Sequence, residues 1–395
     1  MLFKKVITIM VIFLMVNIIG SIDESNLQNN QKSIEKEWTW IFYDDADSIA
    51  MADPMNPPEG YTNYSISNTL YSGDNLNVLV LQDTFLKPAK LWYINENKEN
   101  ILLQDMGEIN MGDDEILYDF ITYAKNKFPA KRYLLSFYSH GGGWGGACGD
   151  RFGTDFLTMN EMQVAISTAG NVDIICFTAP CLMAAVESIY ELRDCTDVYV
   201  ASQEVSMYLY WMTSMENIRN LLDYNVNLSN VEIGQQIIEF IEEDHVGDEL
   251  ITMSAVRTDK IEELIVNIDS LAKYLIDNTE YYKGLEIIYE DIEFFGTSDL
   301  VDLYDFCRLM NNSFSNENIT SLLQGIMDSL LSCVIANYHG LEHENAHGMT
   351  IYLPNQITRY FTIIRYRTPL LNLDFAQDTF WDEFIKDYII KKIFI

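Results

Sequence analysis

The stretch Tyr133–Asp150, YLLSFYSHGGGWGGACGD, decides the reading of this chain. Apolar and aromatic residues with two serines run straight into a histidine and then a group of glycines. A run this short and aromatic-rich, ended by so strong a breaker, reads as a buried strand. His140 then stands at the carboxyl end of that strand, where open α/β sheets place their ligands. The glycines allow close backbone approach to a substrate and leave N–H groups free to donate. A second strand-like run, Val172 to Phe177, ends at Thr178-Ala179-Pro180-Cys181-Leu182-Met183. A histidine and a cysteine on neighbouring strand ends make a base and a nucleophile. Between a strand and a helix, the Cys181 sulfur would feel the helix N-terminus, which lowers a thiol pKa. The backbone N–H groups of Gly141 and Cys181 would be the oxyanion donors.

Composition narrows the function classes. Acids outnumber bases 59 to 25, for a net charge of −34. Phosphate-backbone binding needs a basic face, so no nucleic-acid partner is expected. Lys4 and Lys5, the apolar run Val6 to Ile19, and then Gly20 and Ser21 have the pattern of an export signal over residues 1–21. The run is shorter than the roughly 20 residues of a membrane helix. Secretion is therefore expected, with an uncleaved N-terminal anchor as the alternative and no other membrane domain. Six cysteines, at 148, 176, 181, 195, 307 and 333, include no CxxC pair. With Cys181 set aside as a nucleophile, five remain and cannot all pair, so they read as buried thiols.

Along the chain, residues 22–36 are a polar lead-in and Trp38 to Tyr43 a first strand opening into an acidic loop, Asp44-Asp45-Ala46-Asp47. Strands at Leu76 to Leu81 and Lys90 to Ile94 precede a helix from Asp113 to Phe128, which stops before Pro129. Thr158 with Glu161 three residues on is a capping box opening a helix to Ala169. A helix from about Met183 to Leu192 and a strand at Val198 to Ala201 follow the nucleophile. This alternation predicts a mostly parallel sheet flanked by helices over residues 37–205. Residues 206–395 read as largely helical (Val231 to Glu243, Lys260 to Asp277, Leu300 to Met310), with one strand at Met349 to Leu353, and complete the same unit.

These residues carry a resemblance. WTWIFYDDAD, LNVLVLQDT, MGEINMGD, YLLSFYSHGGGW, CLMAAVESIYELRDCTDVYVASQE, LVDLYDFC and AHGMTIYLP resemble segments of the clostripain family of secreted cysteine peptidases. That family is related in fold to caspases, legumains and gingipains. The resemblance implies a caspase-like α/β core, with His140 and Cys181 as a catalytic dyad that has no obligatory third member. It also implies protein or peptide substrates, no cofactor required for the chemistry itself, and calcium as a candidate ligand of the Asp44–Asp47 loop, although that spacing is no EF-hand and the loop reads first as solvated. Glu187 matches a family glutamate and reads as structural. The family pattern Phe-Asp-Ala-Cys, whose Asp helps bind a basic P1 side chain, is here Phe177-Thr178-Ala179-Pro180-Cys181. Thr178, Ser202 and Glu204 are the substrate-binding candidates, and weakened Arg/Lys preference is expected. The Gly149 to Asp155 loop, with Arg151, is the candidate for self-processing.

Two other readings stand beside this one. Pro180 and the missing Asp suggest a catalytically inactive relative retained for binding. His343-Glu344-Asn345-Ala346-His347 reads as H-E-x-x-H, a zinc-peptidase signature. That motif needs a helix to put both imidazoles on one face, and Gly348 and a β-like run follow it here. The sequence leaves oligomeric state open.

Overall fold

β1 (Lys36–Ala46) and β5 (Ala130–Tyr138) form because near-continuous apolar runs can be buried on both faces only within a parallel sheet. In the computed structural model they lie in a sheet of nine strands. The others are β2 (Leu76–Thr84), β3 (Lys87–Ile94), β4 (Asn100–Gly107), β6 (Ile174–Phe177), β7 (Val198–Ala201), β8 (Thr252–Arg257) and β9 (Val334–His339). The structure describes residues 35–47, 69–84, 87–150, 155–206, 209–296, 299–356, 360–368 and 371–392. The expected export segment, most of the polar lead-in and Arg151 lie outside these residues.

Strand order is β9-β8-β7-β6-β5-β1-β2-β3-β4. The five strands from β7 to β2 pair in parallel, and antiparallel strands close both edges. Alternate residues of one strand feed two cores: Ile41 and Tyr43 enter one, Trp38, Trp40 and Phe42 the other. Helices α4 (Leu209–Tyr224) and α5 (Asn230–Asp244) cover the second core. The first is covered by α1 (Asp114–Lys127), α2 (Met159–Thr168), α3 (Val186–Glu191), α6 (Ile261–Asp277), α7 (Leu303–Ser313) and α8 (Glu317–Cys333). The mostly parallel sheet between helices is as the sequence predicts. Thr158 and Glu161 make the reciprocal capping bonds at the start of α2.

Four expectations change. The C-terminal part is less helical than its periodicity suggests, because β8 and β9 extend the main sheet. β9 follows α8 directly at Cys333–Val334, with no glycine or proline to mark the change. β4 is mostly exposed, so no alternating pattern betrays it. β1 runs on through Asp44 and Asp45, which are enclosed and not part of a solvated loop. The helix after Cys181 starts at Val186 and not Met183, since Leu182 has φ +66° and Ala185 is extended, bridging to Thr350. Residues 35–395 cluster as one unit. Among the described residues no helix is long and apolar enough to cross a membrane.

Candidate active site

Two strand ends build the site. β5 and β6 run side by side in parallel with Phe137 opposite Phe177, so the chain emerges toward His140 and Cys181 from adjacent positions. Thr178 ties them: its N–H and its hydroxyl both donate to the Phe137 carbonyl, at 3.0 and 2.7 Å. Beyond β5 the glycine-rich segment folds back on itself. The Cys148 N–H donates to the His140 carbonyl at 3.1 Å, and Gly141 bridges Ala147. Gly141 lies so close to Cys181 that a Cβ there would sit 2.5 Å from the Cys181 carbonyl oxygen and 2.8 Å from its nitrogen. Only glycine allows that approach.

Trp144 anchors this segment from the far side, edge-on to Tyr352 and Tyr366 with ring centroids 5.1 and 5.0 Å away. Glu187 explains why those tyrosines stay put. Fully enclosed on α3, it accepts hydrogen bonds from the Tyr352 N–H at 2.9 Å and the Tyr366 hydroxyl at 3.2 Å. Burial raises its carboxyl to about 7. Trp144 and Tyr366 carry no signal in the sequence as supports of the site, because Trp144 lies more than two hundred residues from the tyrosines it meets and Tyr366 lies 179 from Glu187.

Cys181 is half-buried, and its sulfur faces the Ala179 and Ser206 carbonyls at 3.9 and 3.8 Å. Burial raises its thiol above the ordinary value. Backbone hydrogen bonds from Ser206, Gly141 and Cys181 itself pull the other way, and the charge of Glu204 adds to the rise. The expected lowering by a helix N-terminus does not occur, since α3 begins five residues further on. Leu182 adopts the left-handed region instead, a strain of about 1–3 kcal/mol that functional turns tolerate. Its N–H donates to the Glu204 carbonyl, which holds the strained turn. Burial lowers the His140 imidazole, and its Nε2 is enclosed without a hydrogen-bond partner. Burial thus disfavours the charged form of both groups, and the enclosed His140 Nε2 has no hydrogen-bond partner.

The three substrate-binding candidates are brought to this neighbourhood but are already engaged. Thr178 and Ser202 are each 1% exposed. The Ser202 hydroxyl donates to the Glu204 carbonyl at 3.0 Å and pairs with Thr252 Oγ1 at 2.8 Å. Both hydroxyls are enclosed and already hydrogen-bonded within the protein. Glu204 is half-buried, and its carboxylate accepts from the Val205 N–H at 2.6 Å and the Gly296 N–H at 3.0 Å. Gly296, with φ +61°, packs against the Leu182 side chain, a contact no sequence signal announces.

The H-E-x-x-H run does not form a metal site. His343 closes a single 3-10 turn and no helix spans 343–347. His343 Nδ1 pairs with Glu293 at 2.9 Å, whereas His347 Nδ1 pairs with Asp302 at 3.1 Å and stacks on Tyr304. Among the described residues no three His, Cys, Asp or Glu side chains converge to hold a metal ion. All six cysteines are free, and all but Cys181 are buried.

Comparison with known proteins agrees with this geometry. The profile of the clostripain family, peptidase C11, matches residues 56–388. Clostripain from Hathewaya histolytica is 26% identical over 423 residues, covering 86% of this chain and 78% of that protein. The structure resembles an inactive zymogen C11 protease from Parabacteroides distasonis, with TM-score 0.67 and 18% identity over 88% of this chain and 99% of that one. It also resembles a secreted C11 cysteine protease from Bacteroides thetaiotaomicron, solved with an irreversible peptide inhibitor, with TM-score 0.62 and 17% identity over 81% of this chain and 93% of that one. With a caspase-like sheet, a histidine and a cysteine on adjacent strand ends, and a family profile spanning most of its length, this chain belongs to the clostripain family of cysteine peptidases.

Proposed function

We propose that this chain is an exported cysteine endopeptidase working through Cys181 and His140. The observation that carries the reading is the contact of Gly141 with the Cys181 backbone across the β5 and β6 ends. Backbone hydrogen bonds from Gly141 and Cys181 act on the sulfur, and a buried imidazole nitrogen without a partner stands one residue before Gly141, which supports the reading. The Cys181 sulfur attacks the scissile carbonyl carbon as His140 takes the thiol proton. The oxyanion that forms is held by the Gly141 and Cys181 N–H groups. His140 returns the proton to the leaving amine, and water then cleaves the thioester with His140 as base. Export rests on the basic start and apolar run within residues 1–21. A thiol-reactive peptide probe followed by mass spectrometry is expected to label Cys181; an unlabelled Cys181 would favour the inactive binding relative.

The electrostatics predict a pH profile. Burial disfavours imidazolium at His140 and thiolate at Cys181. The base must be neutral, so kcat/KM is expected to rise through an acid limb below the ordinary imidazole value of about 6.5. Iodoacetamide alkylation needs thiolate, so in the free enzyme it should climb only above the ordinary thiol value. An alkylation rate already at its plateau at pH 7 would show a preformed ion pair.

Specificity follows from what is already bonded. The Thr178 hydroxyl is committed to Phe137 and the Glu204 carboxylate to Val205 and Gly296. An arginine at P1 would lose hydration without a freely offered carboxylate in exchange. A positional-scanning peptide profile is expected to show apolar or small polar P1 residues accepted. Cleavage after arginine alone, erased by Glu204→Gln, would reverse this assignment and make Glu204 the P1 acid.

A further inference from the structure

Leu182, the residue after Cys181, is held in a backbone conformation that its side chain disfavours. Its φ of +66° lies in the left-handed region, which glycine enters freely and other residues enter at a cost. Two glycines from distant segments close on it. Gly143, on the segment leading away from His140, has φ +58°, and a Cβ there would lie 3.1 Å from the Leu182 carbonyl oxygen and 3.8 Å from the Leu182 Cβ. Gly296 follows the short strand Phe294–Phe295 and has φ +61°. A Cβ on it would lie 2.9 and 3.0 Å from the two Leu182 methyl carbons. Leu300 begins the antiparallel partner of that strand, Leu300–Asp302, and its Cδ1 would lie 3.4 Å from a Cβ on Gly143.

Glu204 fastens this arrangement at both of its ends. Its carbonyl accepts the Leu182 N–H at 3.2 Å. Its carboxylate accepts the Gly296 N–H, at 3.1 Å to Oε1 and 3.0 Å to Oε2. Its own N–H donates to Thr252 Oγ1 on β8 at 2.9 Å, which roots it in the sheet. The same carboxylate stands near enough to Cys181 for its charge to act on the thiol.

The two halves of the site thus meet along one stretch of backbone. Gly141 abuts Cys181 and Gly143 abuts Leu182, so the segment after His140 lies against the nucleophile's turn. A shift of Leu182 moves the neighbouring Cys181 N–H, an oxyanion donor, and disturbs the packing of the His140 segment.

We propose that Leu182 is a positioning residue, a wedge between Gly143 and Gly296 that fixes the Cys181 turn against the His140 segment, with the Glu204 carboxylate holding Gly296 in place. The inference rests on Cys181 and His140 being nucleophile and base. It gives Glu204 a task that needs an acceptor oxygen and not a charge.

The test measures kcat and KM of the full chain on a peptide with an apolar P1 residue. The variants are Leu182→Ala, Leu182→Met, Gly296→Ala, the double variant Leu182→Ala/Gly296→Ala, Glu204→Ala and Glu204→Gln. Leu182→Ala is expected to lower kcat about tenfold with KM nearly unchanged, as a small misplacement does. Leu182→Met, an apolar side chain of similar volume, should keep most of the rate. Gly296→Ala should lose kcat as well, because its Cβ collides with the Leu182 methyls. In the double variant that collision is gone, so its loss should fall well short of the product of the two single losses. Glu204→Gln keeps an oxygen for the Gly296 N–H and should retain kcat, whereas Glu204→Ala should lose it.

Circular dichroism checks that each variant folds. Glu204 is half-buried, so the contrast between Glu204→Ala and Glu204→Gln decides the matter even if Leu182→Ala does not fold. Unchanged kcat in folded Leu182→Ala, equal losses in Glu204→Gln and Glu204→Ala, or losses that multiply in the double variant would overturn the positioning role while the peptidase reading stands. If the wild type neither turns over peptides nor labels at Cys181, the peptidase reading itself fails and the positioning role falls with it.

Discussion

Alanine at Cys181 is expected to abolish peptide turnover, and alanine at His140 to reduce it by about 10³-fold or more, with neither variant unfolding. The size follows from the roles. Without the sulfur no acyl-enzyme forms, and without the imidazole a thiol raised by burial has no base to take its proton. The intact fold follows from burial. Cys181 is only half-buried and its sulfur makes long contacts to two carbonyls, so little packing is lost. His140 Nε2 is already an unpaired buried nitrogen, so its removal leaves no new orphan. Both variants should keep the circular dichroism of the wild type. Substantial turnover by Cys181→Ala, measured on protein free of contaminating protease, would mean that the nucleophile lies elsewhere.

Arg219→Ala is expected to destabilise the chain by about 3–5 kcal/mol, because it strands a buried charge. Arg219 and Asp223 lie one turn apart on α4, joined at 2.7 Å, with side chains each 2% exposed. The guanidinium also donates to the Tyr71 carbonyl at 3.0 Å and the Ser72 carbonyl at 3.2 Å, and lies 4.1 Å from the Tyr71 ring centroid. Asp223 in turn accepts from the Asn75 N–H at 2.8 Å. A Cβ on Gly73 would lie 2.0 Å from the Asp223 carboxylate, so the segment entering β2 is moulded around this pair. Truncating the arginine leaves Asp223 enclosed without its cation and frees two carbonyls. The double variant Arg219→Met/Asp223→Leu, which removes both charges, should recover most of the loss. A urea midpoint in Arg219→Ala close to the wild-type value would show that the pair contributes little.

The sequence by itself determined the parallel centre of the sheet, the order of its strands along the chain, and the two strand ends that carry His140 and Cys181. These features are local. Apolar runs too short for helices must be strands, glycines end them, and Thr158 with Glu161 opens a helix through bonds made within one turn. The edges of the sheet were not legible. β4 is exposed on most of its length, and β9 continues from α8 without a breaking residue. Only the tertiary structure decided what each polar side chain near the site does. Thr178 and Ser202 read as pocket hydroxyls until Phe137 and Thr252, from other strands, are seen to occupy them. Asp44 and Asp45 read as a solvated acidic loop until helices and strands enclose them. The two histidines of His343–His347 read as one motif until Glu293 and Asp302 draw them to different carboxylates. A strand or a cap is set by neighbours in the chain, whereas the partner and protonation of a buried polar group are set by whatever distant residues folding brings against it.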